Sequence, residues 1–172
     1  LLAAAVLMQA QRPGKLRFVL PVVPGLREMI DAIVKRTAPS LPIDLLDGRS
    51  HEALAASDLV LVASGTASLE AALFKRPMVI TYAMNGLSWQ IMKRMHLQAW
   101  VGLPNILLEE FVVPELLQDA ATPQNIAAAG FKWLDDPDAC QTLVKRFDAL
   151  HLRLRCNMAE AATAVVENVL AA

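Results

Sequence analysis

Residues 58–63 read DLVLVA, Ser64-Gly65-Thr66 follow, and 67–74 read ASLEAALF before the second aliphatic run PMVITY at 77–82. A stretch that is almost purely Leu and Val, without polar alternation, belongs to a strand buried on both faces, as in a parallel sheet covered by helices. Upstream, LRFVLPVV at 16–23 reads as a strand, 25–38 as a helix, 42–46 as a strand closed by Asp47-Gly48, and 50–56 as a short helix. Strand and helix therefore alternate four times. That pattern predicts parallel βαβ units with right-handed crossovers, an α/β fold with a Rossmann-like parallel sheet and helices on both faces.

Toward the ends the pattern is helical. Residues 1–10 read as a helix closed by Arg12-Pro13-Gly14, and beyond Asn85 helices are expected at 123–134 and 137–155, with 100–108 (WVGLPNILL) irregular. Asn157 stands three residues before Glu160, a variant of the capping box, and opens a last helix. On it Met158, Ala161, Ala162, Val165, Val166, Val169 and Leu170 share one stripe. The stripe calls for a partner surface.

Composition narrows the function classes. The 172 residues are 55% hydrophobic with net charge −1, so disorder is excluded and no basic footprint for nucleic acid exists. Mean hydropathy is +0.40, yet no run reaches the roughly 20 apolar residues of a membrane helix. The excess apolarity is expected in the core. The two cysteines, Cys140 and Cys156, have no neighbours at metal-ligand spacing, so neither a zinc site nor a disulfide framework is read, and a reducing compartment is expected. The first residues show no signal-peptide pattern, no initiator Met opens the chain, and it begins inside a helix; the reading is a fragment.

Ligands of open α/β sheets bind beyond the carboxyl ends of the strands, which directs attention to the loops after Val23, Leu46, Ala63 and Tyr82. The third is the richest. Ser64, Gly65 and Thr66 stand between a buried strand and a helix, where free N–H groups and the helix dipole favour a phosphate. Glu70 lies four residues after Thr66, roughly 6 Å along the same helix face, where a carboxylate can accept both hydroxyls of a ribose. The competing reading makes Ser64 or Thr66 a helix cap and Glu70 a surface acid. Spacing excludes reciprocal capping by Glu70, and no hydrolase elbow, Walker lysine or Gly-x-Gly-x-x-Gly run occurs. Asn105, after Gly102-Leu103-Pro104, reads either as a turn-stabilising residue or as part of a site. His51, His96 and His151 are scattered singly and expected on surfaces, with no metal site. Trp89, Lys93, Arg94 and Trp100 suit either packing or a membrane-interface patch.

Residues 57–70 (SDLVLVASGTASLE), 71–78 (AALFKRPM), 101–107 (VGLPNIL), 113–118 (VPELLQ) and Arg155-Cys156-Asn157 closely resemble the lipid-A-disaccharide synthases. The resemblance runs over nearly the whole chain, with the motifs in the family's order. It implies the C-terminal, nucleotide-sugar-binding half of a glycosyltransferase-B fold: a Rossmann-like domain at 1–155, truncated at its N-terminus, and a C-terminal helix at 156–172. By resemblance Ser64, Gly65, Thr66, Glu70 and Asn105 bind substrate. The implied donor is UDP-2,3-diacylglucosamine, and the acceptor is 2,3-diacylglucosamine 1-phosphate.

The family's N-terminal domain and the Gly-Ser-Arg loop expected before the first helix are absent from this sequence, so no catalytic base is assigned. The resemblance requires no cofactor and implies a cytoplasmic enzyme peripheral at the inner membrane, with a possible homodimer through exchanged C-terminal regions and no nucleic-acid partner. A UDP-sugar 2-epimerase-like enzyme and a non-catalytic nucleotide-binding or dimerisation fragment remain as alternatives.

Overall fold

The computed structural model describes residues 1–63, 65–85, 89, 99–155 and 157–170. Its elements in chain order are α1 (Leu2–Gln11), β1 (Phe18–Val22), α2 (Arg27–Thr37), β2 (Ile43–Asp47), α3 (Ser50–Ala56), β3 (Val60–Ala63), α4 (Thr66–Leu73), β4 (Met78–Tyr82), α5 (Leu103–Leu108), β5 (Glu115–Leu117), a 3-10 turn (Gln118–Ala120), α6 (Pro123–Asp135), α7 (Pro137–Leu154) and α8 (Met158–Leu170). All strand pairs are parallel, as the alternation of elements predicts. The strands form two sheets, β1-β2 and β3-β4-β5, in place of one continuous sheet.

β4 shows why the aliphatic runs lack alternation. Met78 and Ile80 join Val62, Ala71, Ala72, Val113, Leu143 and Phe147 on one face, whereas Val79 packs with Ala4 and Ile126 on the other. Successive side chains alternate between faces, and both faces are covered, so every position is apolar. Phe147 is fully buried, and such a ring contributes about 1.5–3 kcal/mol. The Trp133 indole lies between the two faces and donates its N–H to the Met78 carbonyl at 3.0 Å.

α1 holds the two sheets together. Ala4 packs among Leu59, Leu61 and Val79, and the adjacent Ala5 packs among Ala38, Leu41, Phe18 and Ile43. Its far end is pinned to α6 by Arg12, which reaches Asp135 at 2.6 Å and lies 4.3 Å from the Phe131 ring centroid.

Two segments depart from the sequence reading. The stretch expected to be irregular contains α5, because Gly102 forms the N-cap and Pro104 falls in the first turn, where its missing N–H costs nothing. β5 was not expected; it is three residues long, follows Pro114 and pairs only at Ile80–Tyr82. The last helix opens as read, with Asn157 Oδ1 accepting the Glu160 N–H at 3.4 Å. Its stripe stands open: Val165, Val166, Val169 and Leu170 are 56–82% exposed. The side chains of Met158 and Ala161 lie outside the described set, as do Cys156 and His96.

Candidate functional site

Gly65 is the N-cap of α4, with φ 135° and ψ −165°, a conformation open essentially to glycine alone. A Cβ placed there would meet no atom within 4 Å. The backbone at Gly65 is thus bare and approachable. Ser68, fully buried, fixes it: its hydroxyl donates to the Gly65 carbonyl at 2.7 Å, and its N–H reaches the same oxygen at 3.1 Å. The sequence reading missed Ser68, whose signal was a small polar residue in the first helical turn.

Thr66 is exposed at the start of α4. No side chain of the cap residue closes this helix, so its first N–H groups and dipole face the carboxyl end of β3. Glu70 lies one turn on, its side chain 44% exposed, with His51 Nε2 of α3 at 3.9 Å from its carboxylate. Ser68, Ala71 and Ala72 turn into the core, leaving Thr66 and Glu70 on the open side. Gly65, Thr66 and Glu70 are therefore brought together at one sheet edge. Ser64 lies outside the described residues, as do Lys93 and Arg94; Trp89 and Trp100 are half-buried.

Asn105 is placed differently. It is fully buried in α5 and spends its whole amide on the protein. Oδ1 accepts the N–H groups of Val112 at 2.9 Å and Val113 at 3.0 Å, and Nδ2 donates to the Val113 carbonyl and to Glu115 Oε1, both at 2.8 Å. The Glu115 carboxylate also accepts the Val101 N–H at 2.8 Å and the Gly102 N–H at 2.9 Å. Glu115 went unread because its strand is so short.

Elsewhere, His51 and His151 are exposed, and no group of three or more His, Cys, Asp or Glu gathers among the described residues. Burial, with Asp136 nearby, pushes the Cys140 thiol up, which makes it a poor nucleophile. A cleft of about 270 Å³ lies between Phe111, Trp133, Leu143 and Arg146. It precedes β5 and so sits away from the carboxyl ends where α/β sheets bind ligands. Among the described residues no helix is long and apolar enough to cross a membrane.

The Gly65 loop and α4 lie within a longer match. Residues 1–166 match the family model described as lipid-A-disaccharide synthetase. The chain belongs to the lipid-A-disaccharide synthase family. A relative bearing that name in Verminephrobacter eiseniae is 49% identical over 172 residues, covering 98% of this chain and 44% of the relative. The Albidiferax ferrireducens synthase is 47% identical over 97% of this chain and 44% of its own length. The Pseudomonas aeruginosa synthase is 51% identical over 92% of this chain and 41% of its own length. The chain thus spans less than half the length of these lipid-A-disaccharide synthases.

Proposed function

We propose that this chain is the UDP-sugar-binding half of an inverting hexosyltransferase, which moves 2,3-diacylglucosamine from UDP to 2,3-diacylglucosamine 1-phosphate and forms the β-1,6 disaccharide of lipid A. The observation that carries the reading is the junction of β3 and α4: a bare helix start over Gly65 with the Glu70 carboxylate one turn along the open face. In this reading the diphosphate lies against Ser64, Gly65 and Thr66, and Glu70 accepts the ribose hydroxyls.

The chemistry of this half is that of the leaving group. As the glycosidic bond breaks, negative charge grows on UDP, and oriented N–H groups with the positive end of α4 stabilise it without reorganising. Activation of the acceptor hydroxyl needs a general base, which belongs to the part of the enzyme that these residues do not supply. Asn105 acts by holding Glu115 and the start of α5 in place, consistent with its saturated amide. The open apolar stripe of α8 supports packing against the other domain or a second subunit. A peripheral position on the cytoplasmic side of the inner membrane suits acylated substrates.

Calorimetric titration with UDP tests the reading. The unaltered chain binds UDP, and Glu70→Ala weakens binding about tenfold, the scale of lost hydrogen bonds to a charged group. Equal affinity in the variant removes Glu70 from the ribose site. Turnover with both acyl sugars, absent from this chain and present when the N-terminal half is restored, separates the transferase half from a self-sufficient enzyme.

A further inference from the structure

Among the described residues three buried side-chain atoms lack a hydrogen-bond partner: Gln9 Oε1, Arg76 Nε and Gln118 Nε2. Only Gln118 stands at the carboxyl end of a strand, directly after β5. Its other amide atom is engaged, since Oε1 accepts the Met84 N–H at 3.2 Å just beyond β4. That bond fixes which way the amide points and leaves the N–H₂ donor unspent. A sealed donor without a partner costs about 1–3 kcal/mol relative to a satisfied one.

The backbone at Gln118 is also unusual. Lys75, Glu109 and Gln118 are the non-glycine residues with positive φ among the described residues. Glu109 is the C-cap of α5 and Lys75 follows the C-cap of α4, where left-handed residues ordinarily end helices. Gln118, at φ 49°, stands between β5 and the 3-10 turn that it opens, so no helix C-terminus accounts for it. Strain of this kind collects at ligand sites, where surrounding structure holds a side chain in a required place.

Position supplies the ligand. Ala63 pairs with Thr81 and Tyr82 pairs with Leu117, so the carboxyl ends of β3, β4 and β5 are level. β3 is an outer strand of its sheet, with β4 and then β5 beside it. With a diphosphate at Gly65–Thr66, the strand ends next in the sheet, over which an attached sugar can lie, are those of β4 and β5. Two strand spacings, about 10 Å, separate β3 from β5.

We infer that Gln118 is a specificity-determining residue of the donor site, its Nε2 donating to a hydroxyl or acyl-carbonyl oxygen of the sugar while Oε1 holds the Met84 main chain. The inference rests on the UDP-sugar reading given above. Gln118→Glu tests it, because the carboxylate keeps the acceptor for Met84 and removes the donor. The readout is the ratio of the affinities for UDP-2,3-diacylglucosamine and UDP, measured by calorimetry in the same detergent. This ratio cancels any effect of the new charge on the shared diphosphate.

The ratio is expected to fall about tenfold, the loss of one hydrogen bond to a buried donor. A ratio within about twofold of the unaltered chain overturns the assignment. Gln118→Met, which preserves length and adds no charge, is read in the same way if the first variant does not fold. Absence of UDP binding by the unaltered chain overturns the site reading itself, and the role of Gln118 with it.

Discussion

Asn105 Nδ2 and Glu115 Oε1 meet at 2.8 Å, and the same carboxylate receives the N–H groups of Val101 and Gly102. One buried amide and one carboxylate thus tie the start of α5, the 112–113 backbone and β5 into a single unit. The consequence is that Asn105 is structural before it is anything else.

Asn105→Ala leaves two buried N–H groups, a carbonyl and a carboxylate oxygen short of a partner, and is expected to cost ~3 kcal/mol in urea denaturation. Asn105→Asp keeps the acceptor for Val112 and Val113 but sets a second carboxyl against Glu115. Repulsion raises a folded-state pKa, so the variant's stability is present at low pH and declines as pH rises through that value. A flat pH profile for Asn105→Asp would remove the Glu115 contact from the explanation.

Gly102 packs so closely that an added Cβ would stand 2.3 Å from Ile80 Cδ1 and 3.0 Å from Glu115 Oε1. Gly102→Ala is therefore expected to lose about 1–3 kcal/mol through overpacking. Ile80→Val removes the colliding methyl. The double variant should be more stable than the sum of the two single losses, a coupling readable in a double-mutant cycle.

Every described side chain of 157–170 is exposed. Ending the chain after Arg155 should leave its unfolding free energy unchanged to within about 0.5 kcal/mol, while any self-association through the Val165–Leu170 stripe is lost. A large fall in stability of the monomer would mean that α8 packs on this chain.

The Arg146 guanidinium, 2.5 Å from Glu110, holds that carboxyl below its ordinary value, chiefly through the side-chain hydrogen bond, with desolvation opposing it. A lowered folded-state pKa gives stability that is complete above the unfolded value and lost as pH falls through the folded one. Denaturation midpoints should therefore decline in acid, and Glu110→Gln should make that decline shallower. An identical slope would show that the pair contributes nothing measurable.

Burial on both faces makes a strand legible as a continuous aliphatic run, as at 77–82, whereas the half-exposed β1 and β2 were legible as short apolar runs bounded by turn residues. β5 escaped because three residues beginning with a glutamate carry no periodicity, and α5 because Gly102 and Pro104 signal a loop as strongly as a helix start. At the site, Gly65, Thr66 and Glu70 could be grouped from spacing along one helix, a local relation. The partners of Asn105 and Gln118 come from segments 7 to 34 residues away. Only the folded chain reveals which polar groups are already satisfied.

The division of the strands into two sheets has a consequence for handling the protein. Five parallel strands in one sheet would have two outer edges; among the described residues the two sheets have four. Such edges recruit any extended chain that matches their spacing, including another copy. This polypeptide is therefore expected to adhere to itself along its strands, with concentration governing how long it stays dispersed.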